Sequence, residues 1–142
     1  PGVASAIFKP LNDQNIIVDM IVQNISADSN KTDVTFTVKR DDMNKTKNVL
    51  VKLKKDIGYE NLLTDNRVAK VSIVGAGMVT HPGVAYKMFN ALSSKNINII
   101  VISTSEIRIS VLVEDKNVKL AVNTLHSAFD LDWKRYELDK TI

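Results

Sequence analysis

The opening of this chain recurs 81 positions further on: Pro1, Gly2, Val3, Ala4, Phe8, Leu11, Asn15 and Ile16 return as Pro82, Gly83, Val84, Ala85, Phe89, Leu92, Asn96 and Ile97. A repeat of this kind constrains the fold more than any single motif, because each copy must be one supersecondary unit. Beyond these positions the spacing shortens. Residues 33–38 alternate as Asp-Val-Thr-Phe-Thr-Val and align with Glu-Ile-Arg-Ile-Ser-Val at 106–111, an offset of 73, which places eight extra residues of the first copy between Ile25 and Thr32. Two units are expected, 1–66 and 67–142.

Hydrophobic periodicity gives each unit its elements. Apolar residues at 3, 4, 7, 8 and 11 have helical spacing, so 3–14 reads as a helix, with Pro10 predicting a kink or an early end. The Ile- and Val-rich run 16–25 reads as a buried strand, 33–39 as a half-exposed one, 45–56 as a second helix and 59–63 as a short strand. The second copy repeats the order: strand 68–74, loop 75–81, helix 82–94, strands 98–103 and 107–113, helix 116–129 and a last strand over 133–138. Each unit is then βαββαβ, a ferredoxin-like plait, and the chain is of the α+β class. Pro1-Gly2 matches a point in the second copy where a strand has already passed, so the first copy is expected to lack its opening strand and the chain to be part of a longer polypeptide.

Composition narrows the function. The 142 residues are 44% apolar and 25% charged, as in ordinary globular proteins, and two units of that size suit them better than one large domain. A net charge of +3, without a dense basic block, is too thin to argue for nucleic acid. The absence of Cys excludes a disulfide framework and suits a cytoplasmic protein. No apolar run approaches the about 18 residues of a membrane span, and no signal peptide is recognisable. His81 has no second His or Cys nearby, which argues against a metal site. Gly75-Ala76-Gly77 begins like a dinucleotide fingerprint, but the third glycine is missing. Lys52, Lys54 and Lys55 read as a solvated helix face.

Val71-Ser72-Ile73-Val74-Gly75-Ala76-Gly77-Met78, His81-Pro82-Gly83-Val84 and Ile102-Ser103-Thr104-Ser105-Glu106-Ile107-Arg108-Ile109-Ser110-Val111 resemble the second of the tandem ACT domains of aspartate kinases. Val18-Asp19-Met20, Gln23-Asn24-Ile25-Ser26 and Thr32-Asp33-Val34-Thr35-Phe36-Thr37 resemble the first. The resemblance covers nearly the whole chain. It implies the regulatory part of such a kinase, either its C-terminal region or a separate subunit, dimerised through its ACT domains and binding lysine, threonine or both. It also implies that ATP and Mg²⁺ belong to a catalytic domain or subunit, with no cofactor and no catalytic residue in this chain, and neither nucleic acid nor membrane as partner. The implied effector residues are Gly2, Val3, Ala4, Ile17, Val18, Asp19, Gln23, Asn24 and Ser26 in the first copy, and His81, Pro82, Gly83, Asn98, Ile99, Ile100, Ser105 and Glu106 in the second.

The chemistry of these residues agrees with an amino-acid ligand. A carboxylate wants several N–H donors, which helix N-termini supply, and Gly2 and Gly83 let the backbone approach closely. Pro-Gly ahead of a helix is plain turn chemistry when it occurs once; its recurrence in both copies gives a ligand role equal weight. Asp19, Gln23 and Asn24 offer oxygens to an ammonium group, and a carboxylate inside an apolar strand is costly without a partner. Glu106 is a counter-charge for a lysine side chain, or else a strand-end residue paired with Arg108, and Ser26 and Ser105 add hydrogen bonds. Ile100 stands opposite Asp19, and Thr104-Ser105 opposite Gln23-Asn24, so the copies differ. The stronger pocket is expected to join the first copy's strand to the second copy of a partner chain. Two other readings are an ACT sensor of a different amino-acid enzyme and an RNA-binding plait, the latter needing aromatic residues on its sheet where only Phe36 stands.

Overall fold

The computed structural model describes residues 2–25, 31–75 and 81–131. The chain divides into two compact units, Pro1–Asn66 and Arg67–Ile142. Unit 1 contains helix α1 (Val3–Asp13), strands β1 (Val18–Ile25) and β2 (Thr32–Val38), a 3-10 turn at Arg40–Asp42, helix α2 (Met43–Lys52) and the single turn α3 (Lys54–Ile57). Unit 2 contains β3 (Val68–Val74), α4 (Val84–Ser94), β4 (Val101–Thr104), β5 (Arg108–Glu114), a 3-10 turn at Asp115–Asn117 and α5 (Val118–Ala128). Both sheets are antiparallel, β1-β2 in unit 1 and β3-β5-β4 in unit 2, which is the ferredoxin-like α+β path. The last expected strand, 133–138, lies outside the described residues.

The repeated identities have structural causes. Asn15 and Asn96 both adopt the left-handed conformation, with φ 56° and 55°. Behind each, the helix closes in the same way: Ile16 N–H donates to Leu11 C=O (3.0 Å) and Ile97 N–H to Leu92 C=O (3.1 Å), while Asn15 and Asn96 N–H reach Asn12 and Ser93 C=O (both 2.9 Å). This is a Schellman motif, in which Asn tolerates positive φ and the following Ile packs back on the helix. Leu11, Ile16, Leu92 and Ile97 are accordingly buried. The repeat therefore marks the turn that sends the chain from helix to strand.

Each unit has its own core. Ile7, Leu11, Ile16 and Leu50 form one, and Val71, Met88, Leu92, Ile97, Ile109, Val111, Val113, Ala121 and Leu125 the other. Helix α1 runs through Pro10 to Asp13, so the early end expected there does not occur. Proline forgoes one backbone bond, and the buried Ile7 and Leu11 on either side hold the helix in place. The helix expected over 45–56 instead starts at Met43 and breaks at Leu53.

Two expectations are corrected by strand pairing. Val34, Phe36 and Val38 pack on the first core as Ile109, Val111 and Val113 do on the second. Thr46 and Leu50 are buried in α2 as Ala121 and Leu125 are in α5. The later offset is thus 75, not 73, and the first copy has six extra residues, not eight. Alternation has period two, so a slip of two residues leaves the pattern unchanged. Residues 59–63 form no strand. They are held instead by Tyr59 Oη donating to Leu50 C=O (3.0 Å), a Lys31–Glu60 ion pair (2.9 Å) and Leu62 against the core.

Thr46 Oγ1 is buried without a hydrogen-bond partner. Leaving a hydroxyl so costs about 1–3 kcal/mol. Thr46→Val keeps the shape and removes the hydroxyl, so urea unfolding should show unit 1 stabilised by about 1 kcal/mol. An unchanged midpoint would mean that the hydroxyl is satisfied in solution.

Candidate functional site

Helices α1 and α4 begin alike. Gly2 and Gly83 are their N-caps, both left-handed (φ 95° and 92°), and neither supplies a side-chain cap. Ala6 N–H donates to Gly2 C=O (2.9 Å) and Lys87 N–H to Gly83 C=O (2.8 Å), closing each first turn. The first N–H groups of a helix have no partner within it. Here no capping side chain covers them and no acidic residue stands in either first turn. Each helix therefore presents N–H donors and a partial positive charge to an anionic group such as a carboxylate.

The strand following each helix runs back along it, so its C-terminal part returns to the level of the helix N-terminus. In unit 1 that part holds Gln23–Ile25. A bulge between Val18 and Ile21 decides which side chains face the helices: Val18 pairs with Val38, but Ile21 pairs with Phe36 and Gln23 with Val34. After the extra residue, Ile21, Gln23 and Ile25 share the face of the core residues Phe36 and Val34, while Asn24 pairs with Asp33 on the other face. Unit 2 repeats the device. Ile100 N–H donates to Leu112 C=O (2.9 Å) and Val101 also pairs with Leu112, so two residues meet one, and Ile102 then pairs with Val111.

Ile21 and Ile102 stand at matching positions on the helix-side face, yet are 51% and 47% exposed. They are exposed apolar residues on that face, where the sequence reading expects a buried strand. An unbroken alternation assigns them no face, and only the bulge turns them toward the helices.

The expected site residues fall into two groups. Gly2, Val3 and Ala4 share one end of unit 1 with Gln23, and Pro82 and Gly83 share the equivalent end of unit 2 with Ser105 and Glu106. His81, also exposed, precedes that turn. Ser105 N–H donates to Arg108 C=O (2.7 Å) and its hydroxyl approaches the same oxygen (3.5 Å), which fixes the β4–β5 turn carrying the exposed Glu106. Ile17, Val18 and Asp19 lie at or just before the opposite end of β1; Gln23 is four residue steps beyond Asp19, about 13 Å. Asn98, Ile99 and Ile100 hold the corresponding place before β4. Val18 and Ile99 pack on the two cores and serve structure first. Asp19 is exposed, not buried as an apolar strand implied, because it sits at the bulge. Ser26 lies outside the described residues, as does most of the glycine-containing loop after Gly75. Among the described residues no helix is long and apolar enough to cross a membrane, and no group of three or more His, Cys, Asp or Glu could hold a metal ion.

The fold is a repeated ferredoxin-like plait, and the ACT domain family matches residues 1–52 and 71–129. The chain belongs to that family, within it to the regulatory portion of aspartate kinase. The aspartate kinase of Pseudomonas fluorescens (strain SBW25) is 52% identical over 132 residues, 93% of this chain and 32% of that protein. The chain thus spans about a third of the length of the curated relatives it matches. Among solved structures, that of aspartokinase alpha and beta subunits is similar with TM-score 0.84 and 46% identity, covering 92% of this chain and 84% of that one. The ligand-free regulatory subunit of aspartate kinase from Thermus thermophilus is similar with TM-score 0.81 and 38% identity, covering 90% and 84%.

Proposed function

We propose that this module is the feedback sensor of an aspartate kinase. It binds lysine, threonine or both where ACT domains of two chains meet, and thereby inhibits the ATP-dependent phosphorylation of L-aspartate to 4-phospho-L-aspartate, the first step towards lysine, threonine and methionine. The observation that carries this reading is the pair of uncapped glycine-led helix N-termini at Gly2 and Gly83. Each receives an effector carboxylate, with Gln23 at the unit 1 end available to the ammonium group. Asn98–Ile100 lie far from the glycine end of their own unit, so they serve the unit 1 site of a partner chain, and two chains are needed to complete it.

Inhibition follows from population shift. An effector bound between chains favours the arrangement it fits, and the difference in affinity between arrangements is passed to the kinase. The catalytic part, on the same polypeptide or a separate cytoplasmic subunit, brings ATP and Mg²⁺. The RNA-binding alternative loses its one aromatic residue: Phe36 faces the helices and packs edge-on against Phe8, with ring centroids 5.2 Å apart.

Thermal unfolding with lysine, threonine, both, or methionine tests the proposal. An effector held at about 100 times its Kd adds about 2.7 kcal/mol to the folded state. The expected result is a raised midpoint with lysine or threonine, none with methionine, and a dimer by sedimentation. A monomer indifferent to lysine and threonine would contradict it.

A further inference from the structure

The bulge in β1 is held from its partner strand. Val18 pairs with Val38 and Ile21 with Phe36, so Asp19 and Met20 both stand opposite Thr37. A bulge breaks the ladder where it occurs, and a donor left there needs another acceptor. Met20 N–H finds one in the side chain of Thr37, donating to Oγ1 at 3.0 Å. Met20 is buried, so water is a poor substitute for that acceptor. In unit 2 the residue opposite the doubled pair, Ile100 and Val101, is Leu112, which has no side-chain acceptor.

We propose that Thr37 is a positioning residue for the unit 1 effector site: its hydroxyl pins the register of β1 and thereby the face on which Gln23 is presented. The proposal rests on the sensor reading for the ligand, and on strand pairing for the rest. With the bulge, Gln23 lies opposite Val34, on the face of the core. Without it, the pairing that starts at Val18↔Val38 runs on unbroken, and Gln23 falls opposite Asp33 on the other face. The apolar pattern does not oppose this slip, since Met20 and Val22 then stand opposite Phe36 and Val34 and still face the core. Hydrophobic burial therefore does not choose the register. The Thr37 hydroxyl does, and with it the oxygen offered to an effector's ammonium group.

Thr37→Val keeps the β-branched shape and removes the acceptor, while Thr37→Ser keeps the acceptor. Cross-strand NOEs in the whole chain read the register without any effector. They should place Gln23 opposite Val34 in the parent and in Thr37→Ser, and opposite Asp33 in a measurable fraction of Thr37→Val. Titration with threonine or lysine should show binding weakened by about tenfold or more in Thr37→Val and kept within about twofold in Thr37→Ser. In a Gln23→Ala background Thr37→Val should add no further loss, because the two residues act as one; a merely structural role would weaken both backgrounds alike. An unchanged register in folded Thr37→Val, or full losses from both substitutions in the double variant, would overturn the proposal. So would a Met20 amide that exchanges in the parent as fast as an unprotected one, a result that does not depend on whether Thr37→Val folds. A register that slips in a protein whose parent binds neither amino acid supports the pinning and refutes the sensor reading instead, which keeps the two failures apart.

Discussion

Leu92→Ala is expected to lower the stability of unit 2 by about 3–4 kcal/mol, because Leu92 is fully buried and alanine leaves a cavity as well as losing transfer energy. In a unit of this size that corresponds to a fall in melting temperature of about 12–30 °C. Leu92 packs with eight other buried residues, and β5 on the opposite side of that core is paired along both edges, so unit 2 should stay folded near room temperature. Leu11 is its repeat partner and equally buried, but among the described residues its cluster holds only Ile7, Ile16 and Leu50 besides. Leu11→Ala should therefore unfold unit 1 while leaving unit 2 intact. Calorimetry with circular dichroism would read two transitions, with only the weaker removed. Equal and small losses in both variants would show that these leucines are not the centres of the two cores.

Gly83→Ala is expected to cost about 1–2 kcal/mol of local stability and to weaken effector binding by about tenfold or more. At φ 92° an L-residue is strained, while an added Cβ would meet nothing within 4 Å, so the penalty is conformational and not steric. The helix start is expected to relax out of the left-handed cap, moving the N–H groups that receive the carboxylate. Gly2→Ala should act likewise in unit 1. Gly58→Ala is the control: Gly58 also has positive φ (76°) and open space, but it ends α3 and opens neither α1 nor α4. It should lose similar stability with unchanged effector affinity, measured by titration calorimetry. If all three variants bind the effector as the parent does, the glycine-led N-termini are turn chemistry alone.

The repeat was legible because its identities mark geometry: Gly2 and Gly83 open helices, and Asn15 and Asn96 close them. Register was not legible, since residues two apart on a strand look alike to a pattern of period two. The bulge was hidden for a related reason. Ile16 to Val22 is apolar at every position but Asp19, so the pattern does not show where the faces exchange, and it places Ile21 in the core although the side chain is 51% exposed. The same assumption buries the carboxylate of Asp19, which is exposed. The strand expected over 59–63 does not form, because strand propensity says nothing of the partners that compete with a sheet for the same residues. Tyr59 and Glu60 found hydrogen-bond and charge partners off the sheet instead.

The most direct test of the sensor account is amide hydrogen exchange of the intact chain with and without saturating threonine or lysine. The account predicts slowed exchange at the starts of α1 and α4, in the C-terminal half of β1 around Gln23, and over 98–100, together with a shift to dimer. Protection confined to other elements, or none with either amino acid, would contradict it.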